Sequence, residues 1–152
     1  MTTSPKNVKE FSKASLAREV SPEIHAMAVV LRLRHPEAVA ILAYGSCLRG
    51  VAAADTLMDF YVLAKNFSAV SPNIISRVAC YIVPPNVYYA EAEFAGQRLR
   101  AKYALLPLPL FAKWMTRETS NPYFWARFAQ PSALVYARND KEIVCVSMEA
   151  AP

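Results

Sequence analysis

Two short segments of this chain carry residues that could do chemistry. The first is Gly45-Ser46, which follows the apolar run Ala38–Tyr44. A strand that ends in Gly-Ser and turns into a short helix points backbone N–H groups at a ligand. Glycine lets a phosphate come close, and the serine hydroxyl adds a donor. The plainer reading of the same dipeptide is a turn glycine with a capping serine. The second segment is Leu57-Met58-Asp59-Phe60-Tyr61-Val62, with Asp59 inside an apolar run. Burying an ionised carboxylate without a partner is costly, so Asp59 calls for a metal or a basic neighbour. Magnesium suits such a site because it takes a few carboxylates together with phosphate oxygens. The alternative is an aspartate that caps or pairs at a sheet end.

Other charged residues could join these two. Glu91 and Glu93 follow Val87-Tyr88-Tyr89. Alternate strand residues share a face, so both glutamates can point the same way as Tyr89, and either could bring a second carboxylate to Asp59 or sit exposed in a salt bridge. Arg49, Lys102 and Arg127 are cations of the kind that neutralise charge growing on an attacked phosphate; the usual fate of such residues is a solvated surface. Arg127 lies among Tyr123, Trp125 and Phe128, which could equally form a core stripe. His35 is expected to act as a cation at a helix end. Cys47 is expected to be a small packed residue.

The elements that must position these residues are legible from period and punctuation. Ser21-Pro22-Glu23 starts a helix: serine can cap, proline suits the first turn, and glutamate suits the positive end. Ile24, Met27, Ala28 and Leu31 recur at helical spacing, and His35-Pro36 closes the helix. Ala38–Tyr44 reads as a buried strand and Leu57–Ala64 as a second one. A helix is expected from Ser71 to about Cys80. Asn86–Phe94 and Leu99–Leu106 read as a hairpin turning at Gly96-Gln97. Pro107 and Pro109 open a helix running through Trp114 and Met115, and another is expected over Tyr123–Ala129. Leu134–Ala137 reads as a last strand or a helix extension. The order predicts an α+β fold with a small mixed β-sheet and flanking helices.

Composition bounds the function. The chain has 152 residues, 55% of them apolar and 19% charged, which excludes global disorder. Its formal net charge of +5 suits an anionic partner, or simply solubility. No cluster of five Lys or Arg occurs, so no nucleic-acid partner is expected. Cys47, Cys80 and Cys145 are widely spaced and form no metal-binding pair. The N-terminal residues lack the apolar core of a secretory signal, and no run reaches the roughly 18 apolar residues of a membrane span. A cytoplasmic protein with peripheral membrane contact is the expectation.

The combination Tyr44-Gly45-Ser46-x-x-Arg49-Gly50, then Leu57-Met58-Asp59-Phe60, resembles the nucleotidyltransferase superfamily with the polymerase-β-like core. Within it, the chain is most similar to the mitochondrial family of CDP-diacylglycerol synthases, the phosphatidate cytidylyltransferases. Val87-Tyr88-Tyr89, Lys102-Tyr103, and Arg127 with Pro131 resemble that family's later motifs, in order, over residues 40–136. The resemblance implies transfer of CMP from CTP, or use of another nucleoside triphosphate, onto phosphatidate, giving CDP-diacylglycerol and pyrophosphate. It implies Mg2+ on Asp59 and Glu91, the latter preferred to Glu93 because it lies nearer the matching segment. It implies Tyr44, Gly45, Ser46 and Arg49 around the nucleotide, and Asp59, Lys102 and Arg127 in catalysis. Leu57 stands where many members of the superfamily carry a first acid. Lys65–Ser76 replaces a longer family segment, and the family's helical second domain has no counterpart here. The expected organisation is a polar arm over residues 1–20, a nucleotidyltransferase-like domain over 21–140, and a tail over 141–152. A catalytically impaired nucleotide-binding or interaction module, or a fragment of a longer enzyme, is the alternative.

Overall fold

The computed structural model describes residues 17–50, 56–70, 87–114 and 130–139. Arg127, the expected helices over 71–80 and 123–129, most of the polar arm, and the tail lie outside the described residues.

Helix α1 spans Pro22–Arg34. Ser21 stands at its N-cap, but its side chain does not cap the backbone. The hydroxyl is instead committed to Glu23, which holds that carboxyl below its ordinary range. At the other end, the His35 N–H donates to Leu31 O at 2.9 Å and the helix stops before Pro36, as a residue preceding proline should.

Five strands follow: β1 (Ala38–Tyr44), β2 (Leu57–Ala64), β3 (Val87–Phe94), β4 (Gln97–Pro107) and β5 (Ser132–Ala137). A 3-10 turn, Gly45–Leu48, leaves β1. Helix α2 (Phe67–Val70) follows β2, and α3 (Leu108–Trp114) follows β4. The spatial order is β3-β4-β2-β1-β5. β2 and β4 are parallel, and every other neighbouring pair is antiparallel. This is a mixed five-stranded sheet in an α+β fold, as the order of elements predicts. The segment Leu134–Ala137, open between strand and helix in the sequence, belongs to strand β5. The β3–β4 hairpin turns one residue earlier than expected, at Ala95-Gly96, with φ of 50° and 75°. Positive φ at both central residues is the turn geometry that matches strand twist in a two-residue hairpin.

The sheet is covered on both sides where its strands are most apolar, which is why all of β1 is buried. On one face, Ile24, Met27, Ala28 and Leu31 of α1 pack on Ile41, Met58, Phe60, Val62 and Leu105. Each fully buried Ile, Met, Leu, Phe or Val side chain among them contributes about 1.5–3 kcal/mol. On the other face, Leu110 and Phe111 of α3 pack on Leu42, Tyr44, Tyr61, Leu63 and Leu106. That second cover stops short of the Asp59 end of the strands, where Leu57 and Tyr89 are exposed.

Two residues, His35 and Arg138, add polar ties to the sheet. His35 lies at the helix end as expected, but its ring serves as a bridge. Nε2 meets the Tyr103 hydroxyl at 2.9 Å and Nδ1 meets Glu37 at 3.2 Å. At the far edge, Arg138 donates from its backbone N–H to Val39 O and from its guanidinium to the carbonyls of Pro36 and Ala38.

Candidate active site

Register alone assembles the site. Ser132 pairs with Tyr44, Tyr44 with Asp59, Asp59 with Lys102, and Lys102 with Tyr89. Directly paired residues share a face, so one residue from each strand forms a row across the sheet. The row lies on the face opposite α1. Tyr44 stacks on Tyr61 at 4.7 Å between ring centroids and walls the row on its apolar side.

Asp59 has a basic neighbour, one of the two partners its burial called for. Lys102 Nζ is 3.3 Å from Asp59 Oδ1, with the aspartate side chain 20% exposed and the lysine 49%. The ion-pair distance does not bring a hydrogen bond, because Oδ1 is buried and has no partner in hydrogen-bonding geometry. The lysine therefore compensates the charge while the lone pairs of Oδ1 stay unsatisfied.

The turn after β1 reaches the same carboxylate. Gly45 is buried with φ of +85°, a conformation that disfavours any residue with a Cβ. A Cβ built there would stand 3.5 Å from Asp59 Oδ2 and 3.6 Å from Gln130 Oε1. The Gly45 N–H donates to Pro131 O at 3.1 Å, so it is not among the donors a phosphate could use. Ser46 is half-buried at the start of the turn, and Arg49 is exposed at its end. Cys47 is a packed residue, as expected: its thiol donates to Tyr44 O, and burial pushes it up from its ordinary range. The nearby Asp59 charge adds to that push, while the Asp59 backbone N–H opposes it.

Glu91 shares the face of Asp59 but is not brought to it. β4 lies between their strands, so the two backbones are two strand spacings apart, roughly 9–10 Å. Glu91 also pairs with Arg100 rather than in the Asp59 row. Its carboxylate accepts from the Tyr89 hydroxyl at 3.0 Å and from Arg98. The Tyr89 bond, followed by Arg98, holds that carboxyl below its ordinary range. Glu93 opposes Arg98 on the same strand pair. Among the described residues no group of three His, Cys, Asp or Glu side chains gathers to hold a metal.

Gln130 is the site residue that the sequence reading passes over. A polar residue directly before proline reads as loop. Only the pairing of β5 with β1 carries it to Gly45. Its one signal in the sequence is its place beside Pro131, inside a segment that carries the family resemblance. No protein-family model matches this chain, and no curated protein gives a significant match to it.

Proposed function

We propose that this chain is a nucleotidyltransferase that moves CMP from CTP to phosphatidate, forming CDP-diacylglycerol and releasing pyrophosphate. The observation that carries the reading is the meeting of Gly45 and Asp59. A positive-φ glycine at a strand end lies against a carboxylate whose inner oxygen is buried and lacks a hydrogen bond. The identity of donor and acceptor rests on the ordered resemblance of residues 40–136 to the phosphatidate cytidylyltransferases, and the net charge of +5 suits both an anionic nucleotide and an anionic bilayer surface. Among the described residues no helix is long and apolar enough to cross a membrane, so the lipid headgroup would be met at the bilayer surface.

In this reading a phosphate oxygen of phosphatidate attacks the α-phosphorus of CTP. The bond from that phosphorus to the bridging oxygen of the β-phosphate breaks, and pyrophosphate leaves. The nucleophile is already anionic, so no strong general base is required. Asp59 would hold magnesium, which when bound neutralises triphosphate charge and orients the α-phosphate. Lys102, half-exposed beside Asp59, can swing its ammonium onto the phosphates once a cation takes over the carboxylate. Ser46 and the N–H groups that follow Gly45 would cradle the outer phosphates. Arg49 would meet them from the turn's exposed end, and Arg127 is proposed as a further cation on the triphosphate.

The test is incubation of the purified chain with labelled CTP, phosphatidate vesicles and Mg2+, with Asp59→Ala as control. The expected result is labelled CDP-diacylglycerol that disappears in the variant. No product from phosphatidate or from other phosphate acceptors refutes the enzyme. Among the described residues no second acid stands beside Asp59, which favours one other reading, a nucleotide-binding module without turnover. Calorimetric CTP binding with no product would select it.

A further inference from the structure

Glu91 is committed to Tyr89 and Arg98 on the far side of β4, so a second oxygen for a cation at Asp59 must come from elsewhere. The gap beside Gly45 identifies one. Asp59 Oδ2 and Gln130 Oε1 both lie close to the point where a Cβ would stand, at 3.5 and 3.6 Å. The two oxygens therefore lie within about 7 Å of each other, the sum of those distances. Gly45 adds no side chain at that point, and its N–H donates to Pro131 O. Magnesium binds oxygen at about 2.1 Å and keeps several of its waters. One bond from Asp59 to the ion, one from the ion to a water, and one hydrogen bond of about 2.8 Å from that water onward together span about 7 Å at full stretch. Any separation up to that limit is within reach of such a chain of contacts.

We propose that Gln130 is the second protein oxygen of a divalent-cation site centred on Asp59, accepting a hydrogen bond from a water that the cation keeps. The proposal rests on the reading of Asp59 as the residue that holds the metal. It makes Gln130 a positioning residue. Its carboxamide adds no charge, so the site carries the single negative charge of Asp59 with Lys102 beside it. Such a site holds a bare cation weakly and a cation already carrying a triphosphate better. Because the glutamine lies two residues before β5 and the aspartate in β2, the ion would tie the outer edge of the sheet to its centre.

The experiment titrates Mn2+ into the full chain, following the free ion by electron paramagnetic resonance, with no lipid and no turnover required. Loss of an outer-shell partner weakens metal binding by about 10- to 100-fold, so Gln130→Ala is expected to weaken Mn2+ binding at least about tenfold. Gln130→Glu is expected to tighten it, Glu91→Gln to leave it unchanged, and Asp59→Asn to abolish it. Gln130 is exposed, so its truncation leaves the packing alone; equal melting temperatures for wild type and Gln130→Ala verify this. Wild-type Mn2+ affinity in Gln130→Ala, with binding still lost in Asp59→Asn, overturns the role of Gln130 and leaves the proposed function standing. Unchanged binding in Asp59→Asn, or no binding by the wild type even with CTP present, overturns both together.

Discussion

Gly45→Ala separates a backbone cost from a site cost, because the chain carries its own controls. Gly45, Gly50 and Gly96 have φ of +85°, +80° and +75°. An L-residue in the left-handed region costs about 1–2 kcal/mol. The stiffer unfolded chain of the alanine variant returns about 0.4–1 kcal/mol. Each of the three alanine variants should therefore lose about 1 kcal/mol, which lowers Tm by about 2–4 °C at this chain length. Among the described residues the added methyl meets nothing within 4 Å at Gly50 and Gly96, and ordinary van der Waals distances of 3.5 and 3.6 Å at Gly45, so no clash sets Gly45 apart in stability. The difference is expected in ligand binding. At Gly45 the methyl stands beside Asp59 and Gln130, where the proposed reading brings in phosphate and hydrated cation. Losing one charge-assisted contact costs about 1.5–3 kcal/mol, which is roughly 10- to 100-fold in Kd. Thermal melts of the three variants, with calorimetric titration of Mg2+ and CTP, provide both readings. If Gly45→Ala binds CTP as Gly96→Ala does, the gap is not where the nucleotide sits. If it instead loses several kcal/mol more than the other two, Gly45 is a packing position.

Three further outcomes follow from the geometry. Lys102→Met leaves Asp59 without its counter-charge and should cost about 1–2 kcal/mol, less than the breaking of a fully buried pair because the lysine is half-exposed. The double variant with Asp59→Asn should recover most of that loss in urea denaturation, and additive losses would reject the coupling. Ala95→Asn places a residue tolerant of positive φ in the hairpin turn and should raise Tm by about 1–3 °C; an unchanged or lower melt shows that Ala95 carries no strain. Glu91 has its carboxyl held below its ordinary value of 4.5, first by Tyr89 and then by Arg98. Its contribution to stability is present above pH 4.5 and is lost as pH falls through the lower folded value. Thermal melts from pH 6 downward should show Glu91→Gln losing less stability than wild type below pH 4.5, and parallel profiles would contradict the assignment.

What could be read from the sequence divides along the range of the forces involved. Ala38–Tyr44 and Leu57–Ala64 were legible to the residue, because strands buried on both faces are continuous apolar runs with sharp ends. The end of α1 was legible because Pro36 dictates it locally. Asp59 stood out because a carboxylate in such a run demands compensation, and the sequence could narrow this to a metal or a base. It could not say that Lys102 is the base, since that depends on β4 pairing in parallel with β2, although β3 comes between them in the chain. The same limit hid Gln130 and made Glu91 look nearer than it is. Facing the right way follows from alternation along one strand, whereas proximity follows from strand order, which no local pattern encodes. Ser21 shows a smaller version of this: its type suits a cap, but Glu23 competes for the same hydroxyl.

The clamp that Arg138 makes on the carbonyls of Pro36 and Ala38 joins positions 102 and 100 residues apart. Closing so long a loop costs entropy that local contacts do not return, so pairings of this kind form late. The candidate site inherits that timing. Tyr44, Gly45 and Asp59 can come together as soon as β1 and β2 pair, but Gln130 and the carbonyl that fixes Gly45 arrive only with β5. Ligand affinity would then report on the completeness of folding: a chain whose last strand is detached could keep most of its core and still lack the outer wall of its site.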